Sequence, residues 1–134
     1  MTYVVSYLVT CVVFLGLDFL WLTGSSKFYR SHLGELLLDQ PNFVAAGAFY
    51  IIYVTGISFF AVMPAANSGS WPTALLSGAL LGLVAFGTYD MTNLATIKGW
   101  SLEASMVDMM WGIFITATSA LAGYFSVLAA QKLI

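Results

Sequence analysis

Charge is what this sequence has least of. Four basic and six acidic residues make 7% of the 134-residue chain charged, against about 25% in a soluble domain, whose water-facing surface needs them. So few charged side chains cannot coat a globule of 14.5 kDa, which excludes a soluble fold and leaves lipid as the solvent for most of the surface. The basic residues form no run and the net charge is −2, so nucleic acid is not an expected partner. The single cysteine, Cys11, excludes an intramolecular disulfide and a cysteine-rich metal centre. Inside an apolar run it reads as an inert packing residue. His32 has no second imidazole with which to share a metal. The first segment lacks a basic leader, carries Asp18 in its second half and has no small-x-small cleavage pattern, so it is expected to stay as a helix.

What the chain does have is apolar surface, with 60% hydrophobic residues and a mean hydropathy of +0.92. A hydrocarbon core of about 30 Å needs about 20 apolar residues in a helix. Four stretches meet that length, at about 3–22, 42–63, 72–94 and 103–130. They are continuous rather than alternating, which favours helices over a barrel. Pro41 and Pro72 stand where helices start and lose nothing by lacking an N–H. Met63-Pro64 is expected to end the second segment, and Ser101 to cap the fourth. The fold class is therefore all-α integral membrane, a four-transmembrane-helix up-down bundle forming one domain over residues 1–134.

The first connection, about Thr23 to Gln40, is longer than the others. Phe28, Tyr29, Leu33, Leu36 and Leu37 recur there at helical spacing against Lys27, Arg30, Glu35 and Asp39, which predicts a short amphipathic helix in the interface. Trp21, Tyr29 and Trp100 are expected in one interfacial aromatic belt, and Tyr3, Tyr7 and Trp71 in the other. Lys27, Arg30 and Lys98 fall in the first and third connections, which the positive-inside rule places in the cytoplasm, with both termini outside.

Three aspartates interrupt the apolar segments. Asp18 lies near the end of the first helix, Asp90 near the end of the third, and Asp108 near the start of the fourth. In an up-down bundle all three then sit in one layer, roughly 6–8 Å below one interface at a rise of about 1.5 Å per residue. Asn93 shares the face of Asp90 one turn on, Tyr89 flanks it, and Tyr50 and Tyr53 reach a similar depth. Trp21 and Trp111 each follow an aspartate by three residues, so each indole can donate its N–H to the carboxylate on its own helix. A carboxylate in a bilayer costs about 2.5–3.5 kcal/mol, so three of them mark a site or pin the bundle through tyrosine, tryptophan and the loop cations. Met91, Met106, Met109 and Met110 surround two of the aspartates, but without a cysteine or second histidine they read as packing rather than copper ligands. Gly78 and Gly82 on the third segment, and Gly112, Thr116 and Ala120 on the fourth, form small-residue stripes along which those helices are expected to pack.

These residues carry a resemblance. Leu17-Asp-Phe-Leu-Trp-Leu22, Phe28-Tyr-Arg-Ser-His-Leu-Gly34, Phe49-Tyr-Ile-Ile-Tyr53, Gly87-Thr-Tyr-Asp-Met-Thr-Asn-Leu94 and Val107-Asp-Met-Met-Trp-Gly112 resemble the small bacterial membrane proteins grouped as domain of unknown function 2177. The resemblance implies a four-helix membrane fold in the bacterial inner membrane and carries over no catalytic residue or cofactor.

The expectation from the residues is a ligand, proton or cation site at Asp18, Asp90, Asn93, Asp108, Trp21, Trp111, Tyr50, Tyr53 and Tyr89, in a protein that binds or transports a small molecule. The alternative is an accessory subunit of a larger membrane complex, and a membrane enzyme acting on a lipid-like substrate ranks below both. The expected partners are the bilayer and a second copy or another membrane protein.

Overall fold

The computed structural model describes all 134 residues, with no strand. Helix α1 spans Thr2–Leu33 and ends in a single 3-10 turn, Gly34–Leu36. Helix α2 spans Phe43–Ser68, α3 Trp71–Thr96 and α4 Leu102–Lys132. All four are long and apolar enough to cross a membrane.

Local chemistry sets the boundaries. The Asn42 side chain accepts the Ala45 N–H at 3.1 Å and starts α2, one residue beyond the proline expected to begin it. Ser101 caps α4 in the same way through Ala104 at 3.1 Å, which meets the expectation. Gly69, at φ +65°, closes α2, and Gly99, at φ +76°, turns the chain between α3 and α4. Both occupy the left-handed region, which glycine enters without steric cost.

Two boundaries correct the sequence reading. The first helix does not stop at Leu22 to be followed by a separate amphipathic helix; it continues unbroken to Leu33. The polar Thr23-Gly24-Ser25-Ser26 stretch looks like a loop, yet Thr23 Oγ1 donates to the Leu20 carbonyl at 2.9 Å and Ser25 Oγ to that of Trp21 at 2.6 Å. Those hydroxyls are satisfied inside the helix and leave nothing to break it. At about 1.5 Å per residue, 32 residues exceed a core of about 30 Å, so the Lys27–Leu33 end stands beyond the apolar run.

The second correction concerns Pro64, which does not end its helix. The ring cannot donate to the Phe60 carbonyl and crowds it. The helix instead widens to a π turn over Ser58–Val62, in which the Met63 N–H reaches the Ser58 carbonyl, and then runs on to Ser68.

The core sits around Phe14, Tyr53, Val54, Ile57, Ile115 and Tyr124. Helix α4 is the most enclosed, with 44% of its apolar window buried against 17% for α1 and α2. It packs on α3 along the predicted stripes. A β-carbon on Gly78 would lie 2.9 Å from Ala117 Cα, and one on Gly82 would collide with the Gly112 carbonyl. Paired positions advance on α3 as they recede on α4, and α1 meets α4 likewise, with Ser6 Oγ donating to the Gly123 carbonyl at 3.0 Å and His32 facing Glu103.

Candidate functional site

At the end of the molecule where α1, α3 and the start of α4 meet, a cleft of about 590 Å³ is lined by Asp18, Asp90 and Asp108 together. A smaller hollow of about 310 Å³ adjoins it and shares Asp18, Tyr89 and Asp108 with it. The aspartates therefore reach one space, as their spacing along the chain predicts. They do not converge to ligand distance: no group of three acidic, histidine or cysteine side chains is placed to hold one metal ion.

The polar contacts around the aspartates cross between helices. Asp18 accepts from the Tyr50 hydroxyl of α2 and from Trp111 Nε1 of α4 at 3.4 Å. Asp108 accepts from the Tyr29 hydroxyl at 3.2 Å, and that hydroxyl accepts from Trp21 Nε1 at 3.3 Å. The expectation that each indole serves the carboxylate on its own helix is thus wrong. Trp21 and Trp111 stack flat on one another, centroids 4.5 Å apart and planes within 6°. Trp111 Nε1 reaches across to Asp18 of α1, while Trp21 Nε1 bonds the Tyr29 hydroxyl further along its own helix. The tryptophan repeated after each aspartate is the cross-brace of α1 on α4.

Asp90 is different. It is 2% exposed, its carboxyl lies beside that of Asp108, and its Oδ2 has no hydrogen-bond partner. A buried carboxyl oxygen without a partner is costly, so Asp90 is the one incompletely solvated group in the wall of the cleft.

The remaining predicted residues divide. Tyr89 lines both spaces and meets Trp100 edge-to-face at 5.8 Å. Tyr50 and Trp111 stand behind Asp18. Tyr53 lines neither space; its hydroxyl pairs with Thr116 Oγ1 at 2.7 Å in the core. Asn93 also lies outside both and neighbours Tyr89. The loop cations do not neutralise the aspartates: the one ion pair within 4.0 Å is His32 with Glu103, at 2.8 Å. Thr88 and Thr96 bond back to their own helix, and Met91, Met106 and Met110 are exposed.

Sequence reasoning missed Tyr29, Arg30 and Trp100 as lining residues. Tyr29 and Trp100, expected near one interface with Trp21, line the cleft together with it. The signal for Tyr29 was present. It follows Asp18 by eleven residues, about three turns at about 3.6 residues per turn, and so shares its face once α1 is one helix. Arg30, Leu36, Leu38 and Pro41 are exposed at the rim, so the cleft is open to its surroundings.

No curated protein and no solved structure matches the chain. The family model of predicted membrane proteins designated domain of unknown function 2177 matches residues 3–125, and the chain belongs to that family.

Proposed function

We propose that this protein is an up-down transmembrane bundle of the bacterial inner membrane that binds a small solute in the cleft, in exchange with a proton on the Asp90–Asp108 pair. The observation that carries the reading is Asp90 itself, a carboxyl 2% exposed whose enclosed Oδ2 has no partner, in the wall of an open space large enough for a solute. Such a group needs either a proton or a donor from outside the chain, and alternation between the two couples occupancy to protonation. That no three acidic, histidine or cysteine side chains are placed to hold one ion favours a molecular solute or a proton over a single metal ion. Lys27, Arg30 and Lys98 around the cleft end support a cytoplasmic position for it under the positive-inside rule. Passage across the bilayer requires a second copy, since four helices by themselves enclose little space.

The test compares wild-type protein with Asp90→Asn and Asp108→Asn in mild detergent, screened for thermal stabilisation by small solutes and by metal cations. A ligand present at 100 times its dissociation constant adds about 2.7 kcal/mol of stability. Stabilisation of the wild type and not of the folded variants is expected. Variants stabilised equally, or variants that cannot fold in any condition while no solute stabilises the wild type, would reduce the aspartates to pins between helices.

A further inference from the structure

We infer that the cleft takes an amphiphilic primary amine, with its ammonium group at Asp90 and its hydrocarbon chain along the leucines of the rim. This rests on the reading of the cleft as a solute site and names the class of solute. The charge balance comes first. Three carboxyls line the cleft against one fixed cation, Arg30, which is exposed, donates to the Asp39 carbonyl at 3.4 Å and forms no ion pair. Asp18 and Asp108 accept from neutral donors, the hydroxyls and indole described above, which solvate a carboxylate without cancelling its charge. Asp90 Oδ2 accepts from nothing.

The missing partner is therefore a hydrogen-bond donor that brings positive charge. A metal ion would need several carboxylates at one point, and these do not meet at one. An ammonium group with several N–H bonds satisfies separated acceptors. A quaternary ammonium carries the charge but has no N–H for Oδ2. The aromatic walls suit the same head group. Trp21, Tyr29, Tyr89 and Trp100 line the cleft, and ring faces attract cations where water is thin. Beyond them the lining turns aliphatic, with Leu33, Leu36, Leu37 and Leu38. Leu36 and Leu38 are 45% and 68% exposed, which leaves apolar surface that an alkyl chain covers. An anionic head group meets three carboxyls and is rejected; an alcohol supplies the donor but leaves the charge.

The probe is decylamine, titrated into the protein in phosphatidylcholine nanodiscs and followed by intrinsic tryptophan fluorescence, to which Trp21 and Trp100 of the cleft contribute, with decyltrimethylammonium, decanol and decanoate as comparators. A saturable change with decylamine is expected, about tenfold or more weaker for decyltrimethylammonium and for Asp90→Asn, the fold-change for one lost charge-assisted hydrogen bond. Ser26 lines the cleft at an exposed position, so Ser26→Arg keeps the fold while adding a competing cation, and it carries the comparison if Asp90→Asn does not fold. Decylamine binding is expected to weaken in it as well. Saturable binding of decanoate or decanol tighter than that of decylamine, and changed by Ser26→Arg, overturns the amine class and leaves the cleft as a solute site. No saturable change with any probe, or one affinity for decylamine in all three proteins, overturns the amine assignment and counts against the cleft reading too.

Discussion

Replacing Gly82 by alanine tests the contact that sets the distance between α3 and α4. A β-carbon there would collide with the Gly112 carbonyl oxygen and lie 2.8 Å from the Gly112 carbonyl carbon and 3.0 Å from Ile113 Cα. All three are backbone atoms, so no rotamer change relieves the overlap and the helices must separate. Overpacking of this kind costs about 1–3 kcal/mol, with rigid neighbours toward the upper end. Alanine returns about 1 kcal/mol of helix propensity relative to glycine, so the expected net loss is about 2 kcal/mol. Gly47 provides the control. It lies inside α2 with nothing within 4 Å of an added β-carbon, so Gly47→Ala should be neutral or stabilising by up to about 1 kcal/mol. Reversible unfolding in mixed micelles of mild detergent and dodecyl sulfate measures both. If Gly82→Ala proves as stable as Gly47→Ala, the close approach of α3 and α4 is wrong, and so is the placement of Asp90 beside Asp108. Asp90 lies eight residues along α3 from Gly82, about 12 Å at about 1.5 Å per residue, and depends on that spacing.

The His32–Glu103 pair ties the protruding end of α1 to the start of α4. The Phe28 carbonyl, and after it the Glu103 carboxylate, hold the His32 imidazole above its ordinary value. The protonated ring is the form the fold favours. Its contribution is complete below about pH 6.5, the unperturbed value, and is lost as pH rises through the raised folded one. Thermal unfolding should show wild type losing stability across that interval and Glu103→Gln losing less; identical profiles would refute the assignment. Removal of the Tyr53 hydroxyl leaves buried Thr116 Oγ1 without its 2.7 Å partner, so Tyr53→Phe should cost about 1–2 kcal/mol. Adding Thr116→Val should recover part of that loss in the same unfolding assay, whereas strictly additive losses would mean the two groups do not interact.

The sequence by itself determined the solvent and the number of spans. Too few charges to face water and four continuous apolar runs of bilayer length leave little choice, because both are sums over many residues and no single contact alters them. It also set the expectation that Asp18, Asp90 and Asp108 share a level, since helical rise converts position in a run into depth, and all three line one cleft. The small-residue stripes of α3 and α4 were legible for the same reason: close approach of helices demands missing side chains at fixed spacing. What only the tertiary structure decided is which groups meet. Thr23 and Ser25 could break a helix or bond back into it; they bond back, and α4 meets the continued end of α1 at Tyr29 and His32. Pro64 could end α2 or widen it, and packing chose the π turn. Each indole could serve the aspartate on its own helix; instead the two rings stack, Trp111 bonds Asp18 of α1 and Trp21 bonds Tyr29 further along α1. Asp90 was left as the carboxyl with an unpartnered oxygen. A helix specifies the face on which its own residues lie, and the atoms opposite that face are set by the rest of the fold.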